Sequence, residues 1–133
     1  MLADTSVWVE YLRLGVDGPA AELDALLAAG EVVICGPVAA ELIAGVASHR
    51  RRELWPLLMG LPWAEIGRTE WYRVGEVAAA LRGAGQTVAL TDIEIAVAAV
   101  SNGAQLWSRD SDFSRVEAIL DGLERFSPST TPG

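Results

Sequence analysis

Short apolar runs alternate with longer stretches of helical periodicity along the whole chain. The strand candidates are "MLA" at the start, "EVVIC" from Glu31, "WAEIG" from Trp63, "AQLWS" from Ala104 and "LERF" from Leu123. Between them lie amphipathic segments. "SVWVEYLR" places Val7, Tyr11 and Leu12 at helical spacing. "GPAAELDALLAAG" opens with Pro19 in the first helical position and closes at Gly30. "GPVAAELIAGV" again starts on a proline, and "RRELWPLLMGL" predicts a helix interrupted or kinked near Pro56. In "TEWYRVGEVAAALRGAG", Trp71, Val74, Val77, Ala78 and Leu81 share one face, with Thr69 as the cap. "TDIEIAVAAVSNG" and a short piece in "VEAIL" complete the set.

This alternation predicts an α/β fold: helices on both faces of a central parallel sheet of about four to five strands, binding ligands at the strands' C-terminal ends. The chain reads as one domain over residues 1–126, followed by a loose Ser/Thr/Pro/Gly tail over 127–133. No internal repeat is evident.

Composition narrows the function. No uncharged apolar stretch reaches the ~18 residues of a membrane span, and the N-terminus lacks a signal-peptide pattern. A cytoplasmic protein with no membrane role is expected. The single cysteine, Cys35, lies in an apolar run and reads as a buried core thiol. His49, the only histidine, sits in the polar "SHRRREL" and reads as a surface residue. The formal charge of -8 argues against broad attraction to nucleic acid. All ten basic residues are arginines, however, and Arg50, Arg51 and Arg52 are consecutive: either a solvated helix face or a phosphate contact.

The chemistry is in the acids. Asp4 ends the first strand, where an unpaired buried charge would be costly. Glu41 lies in an almost wholly apolar helix, which points its carboxylate toward an interior cleft. Asp92 begins a later helix, and Asp110 and Asp112 follow "AQLWS". On a doubly wound sheet all of them converge at one edge. Crowded carboxylates raise one another's pKa unless a cation neutralises them, and an oxygen-only donor set suits Mg²⁺ or Mn²⁺ rather than zinc. Each acid also has a purely structural explanation. Thr91 and Glu94 fit a capping box, which accounts for Glu94 without a site, and Asp92 in a first turn suits the helix dipole. Asp110 and Asp112 fit a turn.

Taken together, "LADTSVWVEYLR", "PVAAELIAG", "TDIEIAVAAV" and "LWSRDSDF" resemble, in order and spacing, the PIN-domain ribonucleases, above all the VapC toxins of bacterial toxin–antitoxin pairs. The likeness runs through nearly the whole chain. It implies a PIN-like three-layer α/β/α fold and a Mg²⁺- or Mn²⁺-dependent endoribonuclease that cuts single-stranded or loop regions of structured RNA, such as tRNA or rRNA, through a metal-activated water. It implies Asp4, Glu41, Asp92 and Asp110 as catalytic, metal-binding acids, with Asp112 as a further ligand. Thr5, Ser6, Thr91 and Ser108 match the hydroxyls that support such acids. A VapB-type antitoxin and a homodimer are the implied partners. Arg50, Arg51, Arg52 and Arg109 are the candidates for contacting RNA.

Three other readings use similar residues. A haloacid-dehalogenase-like phosphatase or a phosphoacceptor receiver domain would want a lysine beside the phosphate, and this chain has none. A PIN-like interaction module with little catalysis stays open.

Overall fold

The computed structural model describes residues 1–129. Its centre is a parallel ladder of two short strands, β1 (Leu2–Ala3) and β2 (Leu106–Trp107), paired Leu2 with Leu106 and Ala3 with Trp107. Single parallel bridges extend it on both sides: Val33 to Leu2, Trp63 to Ile34, and Arg125 to Leu106. Backbone bonds hold each step, including Val33 N–H to Met1 O (2.9 Å), Ala64 N–H to Ile34 O (2.7 Å) and Phe126 N–H to Leu106 O (2.8 Å). All five apolar runs therefore join one parallel arrangement, in the spatial order 63, 34, 2, 106, 125. Only the central pair forms a regular ladder.

The helices are α1 (Thr5–Leu14), α2 (Glu22–Ala28), α3 (Gly36–Gly45), α4 (Ser48–Met59), α5 (Arg68–Gly83), α6 (Leu90–Ser101) and α7 (Asp112–Ile119). α1, α3 and α4 pack in series, α5, α6 and α7 pack together, and α3 meets α6. The core between them holds Leu2, Val7, Ile34, Ile93, Trp107 and Phe113, all essentially inaccessible. The Trp107 ring packs on Phe126 with centroids 5.1 Å apart.

Several helix boundaries differ from the sequence expectation. α2 starts at Glu22 rather than Pro19, although Gly30 closes it as expected: at φ +71 it turns the chain so that Glu31 N–H reaches Leu26 O (3.0 Å). α4 continues through Pro56, which lies near its C-terminal end, instead of breaking there. α5 is capped at Gly67, whose N–H donates to Glu70 Oε2 (2.9 Å), so Thr69 is not the cap. Of the face assigned to α5, Val74, Val77 and Leu81 are buried, but Trp71 is half exposed. α7 begins at Asp112, ahead of the expected "VEAIL" piece. In the expected tail, Ser129 N–H and Oγ both bond the Glu22 carboxylate (2.7 and 3.1 Å), while residues 130–133 lie outside the described residues.

Candidate metal centre

β1 and β2 are the point from which the sheet continues in opposite directions, and their C-terminal ends open the crevice where α/β folds bind ligands. Asp4 leaves β1 there as the N-cap of α1. Its Oδ1 accepts from Val7 N–H (3.2 Å) and from Ser6 Oγ (2.6 Å), and its Oδ2 accepts from Ser108 Oγ, just beyond β2. These bonds meet the charge that the sequence left unexplained. Asp4 is only 4% exposed. Burial still dominates, and it raises the Asp4 pKa despite the hydrogen bonds, with Asp110 adding repulsion.

The two serines are bridges. Ser108 Oγ also accepts from Asp110 N–H (2.9 Å), and Ser6 Oγ accepts from Arg109 N–H (3.0 Å). Each hydroxyl thus ties the segment after β2 to the Asp4 carboxylate. Asp110 Oδ1 in turn accepts from Asp112 N–H (2.9 Å), which sets the turn into α7. Replacing Ser108 by alanine should release Asp110 and cost roughly 10- to 100-fold in metal affinity or activity, as for other residues that orient metal ligands. Titration calorimetry with Mn²⁺ on wild type and Ser108→Ala checks this, and unchanged affinity would remove Ser108 from that role.

Asp92, Asp110 and Asp112 each present a carboxylate oxygen such that all three atoms lie within 4.8 Å of one another. That spacing fits oxygens sharing one hard cation, for which metal–oxygen distances are about 2.0–2.6 Å. Electrostatics agree. Asp92, in the first turn of α6, has its pKa pushed up to about 6, first by desolvation, then by repulsion from Asp110, Asp112, Asp4 and Glu41. The helix dipole alone would have favoured its charge. A group of acids that repel one another and carry no histidine or cysteine suits a divalent cation bound by oxygen.

Other expected residues stand differently. Asp4 and Glu41 lie outside the three-acid group. Glu41 is exposed on α3 and does not point into the interior, because the helix buries Val38, Ala39 and Leu42 and leaves position 41 outward. Its charge nevertheless acts on both Asp92 and Glu94. The capping box of Thr91 and Glu94 does not form: α6 starts two residues earlier, with Ala89 at its cap and its carbonyl accepting from Asp92 N–H (3.0 Å). Among the described residues Thr91 joins none of the hydroxyl–acid bonds, and Thr5 Oγ1 is buried without a partner. Cys35 is buried at the cap of α3, with its thiol pushed up to about 11, which suits a core residue and not a nucleophile.

Arg50, Arg51 and Arg52 are exposed on α4, as is His49. Arg51 Nε donates to Ile43 O (3.0 Å), and Arg50 shares with Glu41 a cleft of about 310 Å³ between α1, α3 and α4. Arg109 lies against Glu10, Nε to Oε2 3.1 Å. Sequence reasoning did not weigh Glu10 or Arg115. Arg115 pairs with Asp112 (3.6 Å). An i,i+3 spacing signals this pair once α7 is known to start at Asp112.

A family model described as the PIN domain matches residues 1–119. The VapC ribonuclease Mb1587 of Mycobacterium bovis and ribonuclease VapC11 of Mycobacterium tuberculosis are each 34% identical over 126 residues, covering 91% of this chain and 94% of the relative. Among solved structures, VapBC2 from Rickettsia felis, bound to a promoter DNA fragment, superposes with a TM-score of 0.72 at 17% identity, covering 94% of this chain and 96% of the matched one. The family match spans both the β1–α1 corner with Asp4 and the segment bearing Asp92, Asp110 and Asp112, and with the 34% identity to VapC ribonucleases the chain belongs to the PIN-domain family as a VapC-type ribonuclease.

Proposed function

We propose that the chain is the toxin of a toxin–antitoxin pair: an endoribonuclease dependent on Mg²⁺ or Mn²⁺ that cleaves single-stranded or loop regions of structured RNA, tRNA or rRNA among them. The observation that carries this reading is the group of Asp92, Asp110 and Asp112 at the C-terminal edge of the sheet. A divalent cation held there supplies an activated water and offsets charge on the phosphate.

Asp92, Asp110 and Asp112 would hold the ion. Asp4, fixed by Ser6 and Ser108, orients Asp110 and adds negative charge beside it. Glu41, exposed on α3 with its charge acting on Asp92, would accept a proton from an attacking water or contribute to a second ion. Arg109, Arg50, Arg51 and Arg52 supply the positive charge that an acidic protein needs to draw in RNA. The domain runs over residues 1–126, since Phe126 N–H still bonds Leu106 O (2.8 Å). No helix among the described residues is long and apolar enough to cross a membrane. The proposed setting is the cytoplasm, with a VapB-type antitoxin and a second copy of the chain as partners, in keeping with the VapC relatives and the VapBC neighbours.

Cleavage of a bulk tRNA preparation should stop in excess EDTA and resume when Mg²⁺ or Mn²⁺ exceeds the chelator. Cleavage that persists in EDTA would count against the oxygen-ligated cation.

A further inference from the structure

Beyond the acid group, the same edge of the sheet carries a second concavity. A cavity of about 240 Å³ opens where the chain leaves Cys35 and Ala64, and its walls include Pro37, Ile66, Ala98, Trp63, Trp71 and Glu94. Its lining is mostly apolar, with two indoles. Glu94 and Ala98 are one turn apart on α6 and both line the cavity, while Asp92, two residues before Glu94, belongs to the acid group. Asp92 and Glu94 both stand in the first turns of α6, which sets the cavity beside the candidate metal centre.

Its walls are held in place. Trp63 Nε1–H donates to Leu58 O (3.1 Å), and the indole also packs edge-on against Trp55. The Asn102 amide donates to Glu65 O (3.0 Å), anchoring the loop that follows Trp63. Trp71 is half exposed and makes no aromatic pair among the described residues, although α5 buries Val74, Val77 and Leu81 from the same helix. An indole left half in water beside a cavity offers a stacking surface, and unpaired bases stack on such rings irrespective of sequence. Selectivity then comes from the edge. Glu94 is partly buried and makes neither a capping bond nor an ion pair among the described residues; an ionised carboxylate only accepts hydrogen bonds. The base that matches it presents adjacent N–H donors, as guanine does with N1–H and N2–H₂, whereas uracil offers a single N–H between two acceptors.

We infer that this cavity is a nucleobase subsite that takes an unpaired guanine flanking the scissile phosphate, stacked on Trp71 or Trp63 and read by the Glu94 carboxylate. The inference rests on the ribonuclease reading for its substrate, and it gives that activity a base preference. A cationic side chain of a protein partner would suit indoles and a carboxylate as well. The two indoles in its wall and its position beside the acid group favour the base.

The test is two-dimensional NMR of the five tryptophan indole N–H signals of the metal-free protein in EDTA, where no cleavage occurs. Trp71→Phe and Trp63→Phe assign two of the signals. A short single-stranded RNA containing one guanine should shift those two signals, and the same RNA with uracil in its place should need roughly tenfold more to do so. Inosine, which lacks the N2 amine, should fall between them, and Glu94→Gln should erase the differences. Equal shifts with guanine and uracil, or no shift of the Trp63 and Trp71 signals by any RNA, would overturn the inference. So would a response only to arginine amide, which would assign the cavity to a protein partner. If the guanine-selective shifts occur but the metal-loaded enzyme cuts no RNA, the ribonuclease reading fails while the base subsite stands.

Discussion

Asp92→Asn should lose more than the ~100-fold that marks the upper end for residues merely supporting a metal ligand. It should nevertheless fold at least as stably as the metal-free wild type. The two expectations have one cause. Asp92 is held at about 6 by desolvation and by four neighbouring carboxylates, so its ionised form is disfavoured in the fold. Because this folded pKa lies above the ordinary carboxylate value, the group's contribution to stability is fully present below that value and is lost as pH rises through about 6. At neutral pH the metal-free protein therefore carries a strained charge that asparagine removes and a bound cation relieves. Melting curves should show Mg²⁺ or Mn²⁺ stabilising wild type, a much smaller response in Asp92→Asn, and a fall in metal-free wild-type stability from pH 4 to pH 7 that is smaller in the variant, where buried Asp4 still contributes. If Asp92 serves only the helix dipole, asparagine should instead lower stability by about 0.3–1 kcal/mol with the metal response intact. That result would remove Asp92 from the site.

The second large effect concerns the cell. Expression of the chain alone should arrest growth, and co-expression of the protein encoded beside its gene should restore it and co-purify with it. The basis is kinship with VapC ribonucleases at 34% identity, together with the structural likeness to VapBC proteins. Chromatography of the chain alone should give the mass of a dimer. A harmless monomer that captures no neighbouring product would contradict this role while leaving the chemistry untouched.

How far the sequence disclosed this structure depends on what each signal encodes. Apolar runs record burial, and all five expected runs take part in the parallel arrangement, with Leu2 and Leu106 at its inaccessible centre. Acids at strand ends were legible for the same reason: a charge directly after a buried run has few places to go. Orientation on a helix was less legible where the surroundings are uniformly apolar. Glu41 is flanked by apolar residues on every side, so periodicity did not reveal that α3 turns that position outward. Helix starts were misplaced where the backbone supplies the cap. Ala89 and Gly67 have no side chain that marks them, whereas Thr91 and Thr69 look like caps and are not. Trp71 shows the limit of reading by residue type, since its apolar ring suggested core and the structure leaves it half in solvent. The bond from Ser108 to Asp4 joins residues about a hundred positions apart, and only the register of β1 on β2 reveals it.

The central claim is that this acidic edge cleaves RNA. Mapping new RNA ends across the transcriptome after brief expression, with wild type and Asp4→Asn side by side, tests it most directly. The account predicts a small set of discrete new ends in single-stranded or loop regions with wild type, and their loss with a folded Asp4→Asn of equal abundance. The same ends in both, or growth arrest by wild type with no new ends at all, would contradict it.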